Sequence, residues 1–154
     1  MATQYTAGVS AGQVLTAATM NSIGAAWESY TPTIKGGATT VTATINYAKW
    51  ARLNKTVFVQ VHATITSAGA ANGTIEISLP SGLNCVSPDD MRAIGVFAVK
   101  DTGTAYYQGF ASATTGSTVS GTAYNAQNYM GANTPAMTLA NGDEVAMSVM
   151  YEVA

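Results

Sequence analysis

Charge is scarce in this chain. Six Lys and Arg and eight Asp and Glu among 154 residues give 9% charged residues and a formal net charge of −2. An average soluble domain carries roughly 25%. Six cations cannot line a phosphate backbone, so no nucleic-acid partner is expected. Cysteine and histidine each occur once, as Cys85 and His62. The four ligands of a structural zinc site are therefore missing, and no intramolecular disulfide can close. There is no D-x-D-x-D-G loop for calcium, and neither a metal nor another cofactor is expected. No apolar run nears the ~20 residues of a membrane-spanning helix. The N-terminus lacks the basic region and apolar stretch of a signal peptide. The G-x-S-x-G motif of a serine nucleophile is absent. Gly69 and Gly73 lack the lysine and the strand–loop–helix setting of a phosphate loop, and read as turns.

Small residues and threonine fill the space that charge leaves. The chain holds 27 Ala, 22 Thr and 15 Gly. This composition suits many short strands and tight turns. Solubility then comes from hydroxyls and amides, or else other subunits cover much of the surface. With 47% hydrophobic residues and little net charge, the chain lies far from the disordered class. Its length fits one domain. A chain of this size buries about 68–70% of its unfolded surface.

The hydrophobic period changes near residue 30. Residues 1–14 have no periodicity and read as an arm. Thr16 is a good helix N-cap, and Leu15 with Met20 forms a hydrophobic staple. Met20, Ile23 and Trp27 then recur on one stripe of a helical period. Leu15, Met20, Ile23 and Trp27 are the candidate anchoring residues. One such tether is marginal, whereas three on one trimer gain avidity. Pro32 cannot continue the helix and biases Thr31 towards an extended conformation.

Beyond it the period is two. Val57, Val59, Val61, Ala63 and Ile65 share one face of a strand over 56–66. Phe58, Gln60, His62 and Thr64 share the other. Further strands are expected at 41–47, 74–79, 91–100, 104–111, 117–124 and 144–153, the last entered by the turn Asn141-Gly142-Asp143. Asn72-Gly73 marks a turn that either closes a hairpin between its flanking strands or sits in a longer loop. The expected fold is all-β. An N-terminal arm and short α-helix (1–30) precede an antiparallel β-sandwich or jelly roll (31–154).

Several short motifs resemble those of bacteriophage tail and fibre proteins. Trp27-Glu-Ser-Tyr-Thr-Pro-Thr33 is similar to their W-x-x-Y-T-P-T segment. Trp50-Ala-Arg-Leu-Asn-Lys-Thr-Val57 stands where that group has Y-x-x-x-G-K-x-V, with Asn54 in place of the glycine. Ile77-Ser-Leu-Pro80 matches its I-x-L-P. Gly12-Gln-Val-Leu-Thr-Ala-Ala-Thr-Met-Asn21 resembles the V-L-T-A-x-x-L-N segment that opens many phage appendage proteins. The end, Pro135 followed by Ala140-Asn-Gly-Asp143 and the closing Tyr151-Glu152, is also similar, so the pieces are short but spread along most of the chain. The resemblance implies a non-enzymatic virion structural protein, assembled in the host cytoplasm. It implies a homotrimer whose partners are other capsid or tail proteins. The sandwich follows almost directly on the N-terminal segment. A capsid decoration protein therefore stays open beside a short fibre or appendage.

The remaining side chains suggest two other classes. Tyr106, Tyr107, Tyr124 and Tyr129 fall in a stretch rich in Gly, Ser, Thr and Asn. They suit either a host-surface glycan or receptor site, as in a carbohydrate-binding module, or contacts between subunits. Asp89, Asp90 and Asp101 are the carboxylates a glycan hydrolase would draw on. His62 sits on a polar strand face, as a general base or an ordinary surface histidine. Cys85, between two prolines, reads as a small apolar filler.

Overall fold

The computed structural model describes residues 26–86, 88–89, 92–124, 128–131 and 135–153. The described residues contain strands and no helix. Ten strands follow the chain: β1 (Glu28–Ser29), β2 (Ile34–Gly36), β3 (Thr39–Thr40), β4 (Thr42–Leu53), β5 (Thr56–Ser67), β6 (Ile75–Ser78), β7 (Ala93–Asp101), β8 (Ala105–Ala113), β9 (Thr118–Ala123) and β10 (Glu144–Glu152). They form one antiparallel sheet in the order β1-β4-β5-β10-β7-β8-β9-β6-β2-β3. The sheet curls: β3, last in the order, runs through Val41 directly into β4, second in the order. The Val41 amide donates to the Ile34 carbonyl at 3.0 Å.

Alternation explains which residues the curl encloses, since successive side chains point to opposite faces of a strand. Val57, Val59, Val61, Ala63 and Ile65 of β5 are all fully buried, as their spacing predicts. Val145, Met147, Val149 and Tyr151 continue this face on β10, and Phe97 and Val99 on β7. Ile34, Ile75, Ile77 and Val119 meet them from β2, β6 and β9 in one buried cluster. Cys85 belongs to that cluster, in line with its reading as a filler.

β5, β7, β8, β9 and β10 match the expected strands closely, β4 runs to Leu53 where a strand over 41–47 was expected, and the shortest strands were not foreseen. β1, β2 and β3 are two or three residues each and carry no period. The Asn72-Gly73 turn does not close a hairpin. β5 pairs with β4 and β10, whereas β6 pairs with β9 and β2. Residues 68–74 instead carry the chain across the curl, and Asn72 bridges Thr138. Trp27, the last member of the expected helical stripe, lies in irregular backbone just before β1 and is 50% exposed. Leu15, Met20 and Ile23 lie outside the described residues.

Candidate functional site

The outward face of the sheet carries a shallow trough of about 280 Å³. Strand register builds it. Tyr47 pairs with His62, His62 with Ala146, Ala146 with Ala98, and Ala98 with Gln108. The Tyr124 amide donates to the Gln108 carbonyl at 3.3 Å and extends the same row. Aromatic rings therefore stand at both ends of a row whose middle is Ala146 and Ala98. Small side chains leave the floor low. On one side rises the neighbouring row of Glu144, Lys100 and Tyr106. On the other lie Ser148, Val96 and Phe110. Tyr106 is 61% exposed and Tyr124 is 53% exposed. The Phe110 and Tyr124 rings meet edge to face, with centroids 4.9 Å apart, a favoured aromatic geometry that braces the Tyr124 end.

A bulge in β4 shapes the far end. The register between β4 and β5 shifts between Ile45 and Tyr47. The extra residue, Asn46, reaches across to β5, and its amide donates to the Thr64 hydroxyl at 3.0 Å. The Tyr47 ring packs edge-on to His62 at 6.1 Å between centroids. Bulges re-aim side chains, and here one lets both Asn46 and Tyr47 address the β5 outer face.

Three strands share one polar cluster at the rim. Glu144 on β10 accepts from Lys100 on β7 at 2.6 Å through Oε1, and meets His62 Nε2 on β5 at 2.9 Å through Oε2. The Lys100 hydrogen bond, and after it the His62 contact, hold the Glu144 carboxyl below the usual glutamate range. The same Glu144 contact raises the Lys100 ammonium above the usual lysine range. Inside the curl, burial pushes the Tyr30 and Tyr151 phenols well above the ordinary tyrosine value. Tyr30 donates to the Ser78 carbonyl at 3.2 Å and Tyr151 to the Leu83 carbonyl at 2.9 Å.

The expected site residues separate. Tyr106 and Tyr124 line the trough. Tyr107 points inward and packs against the core, as its pairing with the buried Val99 requires. Tyr129 is half-buried and bridges Thr122 on β9, away from the trough lining. Of the three aspartates, Asp89 and Asp101 fall at opposite ends of β7. Asp101 ends β7 and Asp89 precedes it, so a nine-residue strand rising ~3.3 Å per residue lies between them. β7 alone spans about 26 Å, longer than the carboxylate separation of either glycosidase geometry. Asp90 lies outside the described residues. Among the described residues no three His, Cys, Asp or Glu side chains gather as a metal would need.

Tyr47, Gln108, Ser148, Lys100 and Glu144 were not read as site residues from the sequence. Their alternation was visible, but not that β10 inserts between β5 and β7. Comparison with family models, with curated proteins and with solved structures finds no match.

Proposed function

We propose that this chain is a non-enzymatic structural protein of a bacteriophage particle, a homotrimer anchored by residues 1–30. Residues 31–154 form a β-sandwich of the jelly-roll type displayed outward. One observation carries the reading: three motif segments far apart in the chain pack into one clasp. Glu28 of the Trp27–Thr33 segment pairs with Trp50 of the second motif. Tyr30 donates its hydroxyl to Ser78 of the Ile77–Pro80 motif. Thr33 donates its amide to the Ser78 hydroxyl at 2.8 Å and accepts from the Ser78 amide at 2.9 Å. The W-x-x-Y-T-P-T segment thus links β1, at one end of the strand order, to β2, near the other. Residues joined by one structural task are expected to travel together, which supports a shared domain type.

Two further observations agree with a binding role rather than a catalytic one. Asp89 and Asp101 flank the length of β7, and Glu144 is already tied to Lys100 and His62. Sedimentation equilibrium tests the oligomer: a mass three times the 15.8 kDa chain is expected, and a stable single-chain mass overturns the trimer. Particle association is tested by co-sedimentation with phage particles that lack this protein. A second reading, a carbohydrate-binding module, is favoured by the aromatic trough, and the two readings are compatible.

A further inference from the structure

We infer that the trough binds an uncharged, extended oligosaccharide laid across the strands; this rests on the carbohydrate-binding reading and is independent of the particle reading. Its length comes from the register. Tyr47 on β4 and Gln108 on β8 are four strand spacings apart, about 19 Å at ~4.8 Å each, and Tyr124 lies one step further. One spacing is of the same order as the advance of one sugar ring along a chain. The trough is open along its length, so it grips one face of a polymer rather than enclosing a compact ligand.

Chemistry selects the ligand class. A sugar ring presents an apolar C–H face and a hydroxyl edge. Tyr106 and Tyr124 offer rigid aromatic faces of the kind that bind polarised C–H groups at little entropic cost. Gln108 presents an amide with both donor and acceptor, matched to neighbouring hydroxyls, and Ser148 adds a hydroxyl. Ala98 and Ala146 keep the floor flat enough for rings to lie down.

Charge argues against an acidic glycan. None of the described residues lining the trough is charged. The adjacent rim charges, Lys100 and Glu144, are paired with each other. A carboxylate or sulfate would lose its water here and gain no free cation. A peptide is poorly served as well. Peptide strands add to sheet edges, where backbone groups are open, or drop side chains into pockets. This trough lies on a sheet face lined by side chains of β4, β7, β8 and β10, not along an open edge.

Affinity electrophoresis of the full chain in native gels tests this. The gels contain galactomannan, hydroxyethyl cellulose or dextran as uncharged polymers, and polygalacturonate as the anionic one. Retardation by at least one uncharged polymer is expected. Tyr106→Ala and Tyr124→Ala should each weaken it about tenfold. Ala98→Met, which fills the floor from the solvent side, should weaken it too and serves if a tyrosine variant proves unstable. Retardation by polygalacturonate alone overturns the uncharged ligand but leaves the carbohydrate reading standing. Retardation by none of the polymers overturns both. Retardation that all three folded variants retain in full overturns the site.

Discussion

Phe97 has room because Gly121 has no side chain. The ring is buried and lies across β8 towards β9, where a Cβ on Gly121 would run into its inner carbons. Those atoms belong to the stem of a locked aromatic, not to a flexible tip. Glycine inside a strand commonly marks such a close approach. Gly121→Ala is expected to cost about 1–3 kcal/mol by overpacking. Guanidinium unfolding measures it, and a double variant with Phe97→Leu should recover part of the loss, since the two sites touch. Additive losses would show that the ring is not what the alanine displaces. This constraint was not legible in the sequence, where Gly121 sits in a weak strand of small residues. The β5 alternation was legible because five branched or small apolar residues occupy every second position. Tyr106 and Tyr124 were legible as a type but not as a pair. Adjacent residues in a strand face opposite ways, so Tyr106 and Tyr107 could not both line one surface. Only the register with Val99 decides between them. At Asn54 the sequence did better. Asn54, read in place of the glycine of the resembled motif, adopts φ 56°. Asparagine tolerates that left-handed geometry more readily than most residues.

Single elements become a surface when β10 enters between β5 and β7. Glu144 then joins three strands through His62 and Lys100. The pH dependence of this cluster follows from the two shifts. Glu144 is held below its ordinary value of 4.5, so its contribution is present above 4.5 and fades as pH falls through the lowered value. Lys100 is raised above 10.5, so its contribution is present below 10.5 and fades as pH rises through the raised value. Both groups are solvent-exposed, which keeps the effect small and sensitive to salt. Glu144→Gln is therefore expected to lower Tm slightly at neutral pH and low salt. The difference should shrink as pH drops below 4.5 and as salt is added. Paired thermal melts read it, and a difference constant across pH would remove the charge from the account. The sequence could not supply this cluster. Glu144 is 82 residues from His62 and 44 from Lys100, and no local period links them. The same insertion explains why the Asn72-Gly73 turn joins no hairpin.

At the scale of the whole molecule, the curl is held by the clasp and filled by one core. The buried cluster runs from Ile34 to Val153, with Tyr30 packed against it. Among the described residues every strand of the sheet lies at or after Glu28. A chain beginning at residue 26 keeps β1, Tyr30 and the contacts of Thr33 with Ser78. Such a chain is expected to unfold in one cooperative transition with an unchanged denaturant slope, because the slope tracks the surface exposed on unfolding. If the part of the 1–30 anchor that grips the particle lies within residues 1–25, with Trp27 dispensable, the shortened chain should also lose co-sedimentation with particles while its melting point stays within a few degrees of the full chain's. A large fall in Tm, with particle binding retained, would instead mean that Leu15, Met20 and Ile23 pack onto this same sheet. The anchoring role would then pass to the displayed domain. That outcome would favour a protein clamped to a capsid surface through its sheet. The trough would remain open to a glycan only where the clamp leaves Tyr106 and Tyr124 uncovered.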